Sequence, residues 1–480
     1  MDPRGRQVSV ERWGVYELAL DGPAAGNPYR DVPLRAEFQH RNRVVPVDGF
    51  YDGAGCYRIR FMPDAEGEWR YVTRSTASQL DGRRGTFTCT PPAPGNHGPV
   101  RVAGPRTFAY ADGTRYLPLG TTCYHWNHLD DLDREEETLR VLADAPFTKV
   151  RMCLLPTGGM DPPRLAFAGD SPETLDTTRF NPAFWRHFER RLRDLLALGI
   201  EADVILFHPY DEGRWCLDRM SPEEDRFLLR YAMARLAAYR HVWWSLSNEY
   251  DFNTHKTVAD WDDLGRFVQR HDPYQRLRSI HNGTRMYTYE RIYDFGRRWI
   301  THQSIQHWDA RLTARWRDAC PKPVVIDEIG YEGTAERRWG NLTGRTLLRQ
   351  LWHAAVEGGY VTHGEAYPDA GRDGTTWISR GGRLHGESVP RIAFLRRVLE
   401  EAPADLVAAR REGTYRLEFT GAAQPAYRDV ELPDGGDYRI ELIDTWNMTA
   451  AELPDGPHRG RVRVELKGRT DMALRIRRVA

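Results

Sequence analysis

One stretch limits the folds open to this 480-residue chain: Val242-Trp243-Trp244-Ser245-Leu246-Ser247-Asn248-Glu249-Tyr250. A short apolar run of β-branched and aromatic residues, following a helical pattern, reads as a strand buried on both faces of a parallel sheet. Its polar end is the informative part, because side chains at the C-terminal ends of barrel strands face the mouth where barrels do their chemistry. A second run, Pro323-Val324-Val325-Ile326-Asp327-Glu328-Ile329-Gly330, has the same apolar body and also ends in a carboxylate. Glu249 and Glu328 lie 79 positions apart, which leaves room for about two more βα units of ~25–30 residues. Cleaving a glycosidic bond needs one protonated carboxyl for the leaving oxygen and one carboxylate for the oxocarbenium carbon. Two strand-end glutamates supply both, so the arrangement predicts a glycosidase.

The rest of the chain agrees with an α/β fold, a (β/α)8 TIM barrel with an N-terminal β-sandwich and a small C-terminal β-domain. Residues 1–102 show short alternating strands broken by Gly, Pro and Asp, and Pro91 to Pro99 reads as a boundary linker. Residues 107–114 read as a small hairpin at the base of the barrel, which spans 103–404. Its eight strands are expected at 116–122, 148–154, 202–208, 242–250, 278–281, 299–303, 324–328 and 360–365, each followed by a helical pattern. Those patterns include 181–198, with Asn181-Pro182 as its capped start, and 221–240, with Ser221-Pro222-Glu223-Glu224. Weaker ones cover 289–298 and 309–317. A Gly- and Pro-rich loop over 156–178 is long enough to be functional. From 405 to 480 the strand alternation returns.

Composition excludes some partners. Lys and Arg number 68 against 68 Asp and Glu, so nothing in the charge points to nucleic acid or an anionic membrane. No apolar segment of ~18 residues exists to span a bilayer, and Met1-Asp2-Pro3-Arg4-Gly5 lacks the apolar core of a secretory signal. A cytoplasmic location is expected, with a trimmed secreted chain and assembly into a homo-oligomer both left open. The six cysteines form no C-x-x-C pair, and Cys123 and Cys153 read as buried thiols. No cofactor is expected.

Ser247-Asn248-Glu249 and Asp327-Glu328 resemble the acid/base and nucleophile signatures of the clan A glycoside hydrolases, barrels that carry their two glutamates on the fourth and seventh strands. Leu119-Gly120-Thr121-Thr122, Ser245 to Glu249, His302-Gln303-Ser304-Ile305-Gln306-His307 and the flanking β-domains are similar to the apiosidase-like subset, over nearly the whole chain. The resemblance implies Glu249 as acid/base, Glu328 as nucleophile in a retaining reaction, and Asn248 as donor to the sugar 2-hydroxyl. Two departures from the cellulase-like pattern leave the sugar open. The sixth strand ends in His307-Trp308 rather than tyrosine, and the eighth offers Glu365 and Tyr367 where tryptophan is expected, with Trp377 as the replacement from the next loop.

Further candidates surround these. Asp327 precedes Glu328, and an exchange of role between the two stays open. Arg151 is read either as a cation that keeps the nucleophile ionised or as a structural ion pair. His125, His128, His208, His281, His302 and His307 fall at strand ends; His208 and His281 are read as substrate contacts or as supports for the glutamates, His125 and His307 as substrate contacts, and one or two of the set as satisfied core histidines. Trp126, Trp215, Trp308 and Trp377 are candidate sugar platforms, of which some are expected to be packing. Glu365, Asp211 and Glu212 are lesser hydrogen-bonding candidates. Two rival readings remain: a non-catalytic carbohydrate-binding protein on a barrel scaffold, and a metal-dependent barrel hydrolase. The second wants an H-x-H pair on an early strand, and the first strand offers only His125-Trp126-Asn127-His128.

Overall fold

The computed structural model describes residues 8–283, 292–369, 374–403, 406 and 408–479. At its centre is a sheet of eight parallel strands: β1 (Gly120–Thr122), β2 (Lys149–Cys153), β3 (Glu201–Phe207), β4 (Val242–Ser247), β5 (Arg278–Ser279), β6 (Gln303–Gln306), β7 (Val324–Glu328) and β8 (Gly359–His363). Strands β1 to β5 pair in sequence, as do β6 to β8, and β8 pairs with β1. A parallel bridge between His281 and Ser304 joins the ends of β5 and β6 and closes the barrel. Strands β2, β3, β4 and β7 are buried at every position, as strands covered by helices outside and side chains inside must be.

Around the sheet run α1 (Leu132–Asp144), α2 (Pro182–Ala197), α3 (Pro222–Leu236), α4 (Val258–His271), α5 (Thr313–Ala319), α6 (Gly344–Val356) and α7 (Ser388–Glu400). Their starts follow capping chemistry. Asn181 accepts the Ala183 N–H ahead of Pro182, and Ser221 with Glu224 and Thr257 with Asp260 form reciprocal capping boxes. In α2, Phe184, Phe188, Leu192 and Leu195 recur at helical spacing and are buried. The helical pattern expected at 289–298 lies partly outside the described residues, and 292–298 form no helix. Among the described residues, no helix is long and apolar enough to cross a membrane.

The sixth strand corrects the sequence reading. It runs over Gln303–Gln306 and not 299–303, because Trp299 packs outward, its indole N–H on Asp262 Oδ1 at 2.7 Å. His302 therefore lies at the base of the barrel, its ring 5.4 Å from that of Trp243 and 5.8 Å from that of Phe108. Phe108 comes from a three-stranded antiparallel ribbon over Val100–Ala103, Thr107–Tyr110 and Arg115–Tyr116, and it plugs the barrel floor with Trp243, Leu277 and Val325. The first barrel strand consequently begins at Gly120 and not near 116.

The N-terminal domain packs a five-stranded sheet on a three-stranded one. Between them Tyr16 stacks on Phe87 at 4.1 Å and Phe38 on Phe61 at 4.0 Å. A buried ion network of Arg60, Arg235, Glu189 and Asp52 ties this domain to α2 and α3. The C-terminal domain is a five-stranded sheet beside a two-stranded ribbon, with a core of its own. Asp471 pairs with Arg349 of α6, and Arg391 of α7 lies 3.7 Å over the Trp446 ring, which fixes this domain to the barrel.

Candidate active site

The barrel interior carries two layers of polar side chains. The lower one is balanced. Lys149 and Arg151, two residues apart on β2, point inward and share Asp203 of β3 and Asp327 of β7. Lys149 Nζ is 3.0 Å from Asp203 and 2.7 Å from Asp327, and Arg151 Nη1 is 3.2 and 3.1 Å from the same pair. Ser304 Oγ and Thr362 Oγ1 also donate to Asp327, at 2.5 and 2.8 Å. Burial opposes ionisation of Asp327, but Arg151 and Lys149 outweigh it and hold the carboxyl far below the usual range. Asp327 is thus a fixed counter-ion, closed to solvent, and its geometry does not favour exchanging roles with Glu328.

Both residues can face inward because the β6–β7 ladder slips. Ile305 pairs with Ile326 and Gln306 with Glu328, which leaves Asp327 as the extra residue of a bulge. Glu328 is thereby set directly across from Gln306 in the upper layer.

Among the described residues, that layer has no balancing cation in contact with both its carboxyls. Glu328 Oε1 accepts hydrogen bonds from the Tyr124 hydroxyl and, at 3.3 Å, from Asn248 Nδ2, while Oε2 accepts from Gln306 Nε2 at 3.0 Å. His281 Nε2 stands 3.5 Å from Oε1. Burial pushes Glu328 up, but His281, the Tyr124 hydroxyl and the more distant Arg151 prevail and hold its carboxyl below the usual value. Glu249 is the opposite case. Burial and then the nearby Glu328 charge push it up to about 8, against hydrogen bonds from Tyr210 and Gln306. The Tyr210 hydroxyl donates to Glu249 Oε2 at 2.5 Å. Glu249 leaves the end of β4 in a left-handed conformation, φ +42°, rare for a side chain of its size and a mark of a residue held in place by its surroundings.

Asn248 links the layers. Its carbonyl accepts from Arg151 Nη2 at 2.6 Å, which turns its amide nitrogen toward the Tyr210 hydroxyl at 2.8 Å and Glu328. Arg151 itself is fully buried beneath this layer, where it orients Asn248 rather than meeting a ligand.

The other candidates scatter. His208 stacks on Tyr210, ring centroids 5.2 Å apart, and its Nε2 bonds the Leu155 carbonyl at 3.0 Å. His125 hydrogen-bonds the same carbonyl, and burial drives it well below the usual imidazole range. Both support the mouth from behind. Trp126 and Trp377 are fully buried, the latter with its indole N–H on Thr121 Oγ1 at 2.7 Å, so neither offers a free face. Trp215 is buried with its indole N–H on the Thr157 carbonyl. Glu365 is closed to solvent and accepts the main-chain N–H groups of His385 and Gly386 at 2.6 and 2.9 Å. Burial raises Asp211, which accepts the Trp215 N–H. His307 and Trp308 line a groove of about 790 Å³ running to Thr420 and Ala423 of the C-terminal domain.

Two groups bring metal-ligand atoms within 4.8 Å of one another: His125, Cys153 and His208, and Glu332, His363 and Glu365. The imidazoles of the first spend N–H bonds on the Leu155 carbonyl, and burial pushes the Cys153 thiol above its usual range. The carboxylates of the second accept four main-chain N–H groups over 385–388, Glu332 holding those of Glu387 and Ser388. Both sets thus already serve the fold through hydrogen bonds to the main chain.

The sequence reading assigned no role to Tyr124, Tyr210, Ser304, Gln306 or Tyr331, whose hydroxyl is 3.1 Å from that of Tyr124. The phenol missing from the sixth strand comes from the loop after β1 instead. The signal available in sequence was position alone, since each lies at a strand's C-terminal end or within a few residues of it.

Comparison with known proteins agrees with this geometry. Residues 103–368, more than half of the chain, match the model of the apiosidase-like catalytic domain family. Residues 9–76 and 404–477 match two domain families of unknown function, DUF5060 and DUF5605. No curated protein matches the chain. A crystal structure of a candidate glycoside hydrolase from Bacteroides vulgatus is 38% identical, with a TM-score of 0.90 over 98% of this chain and 100% of its own. A glycoside hydrolase family 5 structure from the same organism is 14% identical, with a TM-score of 0.60 over 80% of this chain and 95% of its own, and shares the fold. The protein is a glycoside hydrolase and belongs to the apiosidase-like family.

Proposed function

We propose that the enzyme hydrolyses its glycoside with retention of configuration, Glu249 acting as acid and then base and Glu328 as nucleophile. The observation that carries this reading is the opposed state of two carboxyls in one layer: Glu249 held protonated near neutral pH, Glu328 held ionised. A general acid needs its proton and a nucleophile needs its charge, so the two environments support these roles. Spacing supports retention. Gln306 hydrogen-bonds both carboxyls, and a single NH2 group whose hydrogens diverge by ~120° holds two acceptors about 5 Å apart. Retaining enzymes use ~5–5.5 Å, and inverting ones need ~6.5–9.5 Å to admit a water.

In the first step Glu328 attacks the anomeric carbon while the Glu249 proton passes to the departing oxygen. In the second, water attacks that carbon, Glu249 takes its proton and Glu328 leaves. Asn248 keeps its 2.8 Å bond to Tyr210, and the longer 3.3 Å bond to Glu328 is the one a sugar 2-hydroxyl replaces.

The test is a panel of aryl glycosides and oligosaccharides with wild type, Glu249→Gln and Glu328→Gln, the first-formed anomer being followed by NMR. Turnover reduced by orders of magnitude in both variants, with the substrate's anomeric configuration in the first product, is expected. Turnover that survives both substitutions sinks the assignment, and the opposite anomer sinks retention.

A further inference from the structure

We propose that Gln306 is a further catalytic residue: its side-chain amide donates one hydrogen to each catalytic carboxyl, fixes their separation, and yields its bond with Glu328 to the sugar when the glycosyl-enzyme forms. The inference rests on the retaining mechanism above.

Three observations lead to it. First, the bulge at Asp327 puts Gln306 in register with Glu328, and the Gln306 Nε2 to Glu328 Oε2 distance is 3.0 Å. Second, the same side chain hydrogen-bonds Glu249. An amide NH2 has two hydrogens, whereas a phenol at the sixth strand has one and serves one carboxyl at a time. Third, the main chain of Gln306 is clamped on both sides by one fully buried residue. Asn282 Oδ1 accepts the Gln306 main-chain N–H at 3.1 Å, and Asn282 Nδ2 donates to the Gln306 main-chain carbonyl at 3.2 Å. A side chain serving as filler needs no such clamp.

The division of bonds on Glu328 gives the amide its part in the chemistry. Oε1 is engaged by Tyr124 and Asn248, and Oε2 by Gln306. When Oε2 forms the bond to the anomeric carbon, the bond from that carbon to the leaving oxygen breaks and the Glu249 proton goes to that oxygen. Oε1 becomes the ester carbonyl oxygen and keeps the Tyr124 donor, Asn248 having turned to the sugar 2-hydroxyl. Oε2, now an ester oxygen, is a poor acceptor, so one Gln306 N–H is released toward the sugar while the other stays on the newly ionised Glu249. Attack by water reverses each transfer. The amide has no proton to lose in the working range, so it holds both carboxyls without joining their titration.

The groups facing Glu249 are Tyr210, Glu328, Gln306 and Asp251. Those facing Glu328 are His281, Tyr124, Tyr331, Arg151, Asn248 and Gln306. Among the described residues, Gln306 is the one seen donating to both carboxyls. Its N–H favours the ionised form of each, so Gln306→Ala raises both. The pH profile of kcat/KM is therefore expected to move to higher pH on both limbs, by about half a unit or more, with kcat/KM down about 100-fold, as for loss of one preorganised donor. Gln306→Asn, too short to reach both carboxyls, should shift one limb only. A structural role moves neither limb.

The titration of Glu249 and Glu328 by 13C-carboxyl NMR in wild type and Gln306→Ala reads the same shifts without any substrate, with thermal melting as a check on folding. Limbs and carboxyl titrations that stay where wild type has them in both folded variants overturn the proposal. A wild type that hydrolyses no glycoside, while both carboxyls move on loss of Gln306, sinks the glycosidase roles and leaves the amide bridge standing.

Discussion

Glu249 makes the stability of the barrel fall with rising pH, and one isosteric substitution tests this. Its carboxyl titrates at about 8 in the folded protein, against about 4.3 in an unfolded chain. Between those values the folded protein keeps a proton that the unfolded chain has lost. Stability is therefore full below the unfolded value, falls as pH rises, and levels off above the folded one. At about 1.36 kcal/mol for each pH unit, the whole loss is about 5 kcal/mol. Glu249→Gln removes the titrating group and keeps its shape. Its new NH2 faces donors from Tyr210 and Gln306, and losing one such hydrogen bond takes back about 1–2 kcal/mol. A net gain of about 3 kcal/mol remains above pH 8, which corresponds to about 5 °C for a domain of this size. Thermal unfolding of both proteins at pH 5 and pH 8.5, at one scan rate and ionic strength, measures it. The variant should melt above wild type at pH 8.5 and within a degree or two of it at pH 5. A difference that is the same at both pH values refutes the reasoning, as does a variant less stable than wild type at pH 8.5.

Three other outcomes are expected. Tyr124→Phe removes the hydroxyl that donates to Glu328 Oε1, so the acid limb of kcat/KM should move up by about half a pH unit, with the largest loss of activity below pH 5; a rate profile from pH 3.5 to 8 shows it. Arg151→Met leaves Asp203 and Asp327 with Lys149 alone, and breaking a buried network of this kind should lower stability to urea by about 3–5 kcal/mol. A Cβ on Gly386 falls 2.4 Å from Glu332 Oε2 and 2.6 Å from Glu365 Oε1, so Gly386→Ala should lower the melting temperature by several degrees, through about 1–3 kcal/mol of overpacking.

Sequence made the barrel legible because its signals are local. Strand β4 is an uninterrupted apolar run, α3 begins with a full capping box, and Asn181-Pro182 starts α2 as its residues dictate. Where the signal weakens, so did the reading. Strand β6, Gln-Ser-Ile-Gln, has one apolar residue in four, and the adjacent Trp299-Ile300 pair attracted the strand assignment although Trp299 packs against α4. The two glutamates were legible as strand ends. Their partners were not, because Tyr124, Tyr210 and Gln306 come from three different strand ends and nothing in linear order brings them together. Trp377 misled for the opposite reason. A tryptophan beyond the eighth strand suggests a sugar platform, yet here its indole spends its N–H on Thr121 in the core.

The layering explains why one end of this barrel is reactive and the rest inert. In the lower layer two cations and two carboxylates alternate across β2, β3 and β7 at 2.7 to 3.2 Å, so each charge has two opposite charges within reach. In the upper layer two carboxyls share the Gln306 amide, and both cannot ionise cheaply so near each other. One must keep its proton. The difference follows from what lies below: Asp327 accepts from Ser304 Oγ, which stands 3.2 Å from His281 Nδ1, His281 Nε2 lies 3.5 Å from Glu328 Oε1, and Arg151 adds its field on the same side. Glu249 sits just beyond the end of β4, where Tyr210, Gln306, Glu328 and Asp251 face it. The asymmetry between the two carboxyls follows the placement of Arg151 and His281 on the Glu328 side, so the acid and nucleophile roles proposed for the two glutamates depend on β2 and the end of β5 as well as on the glutamates themselves.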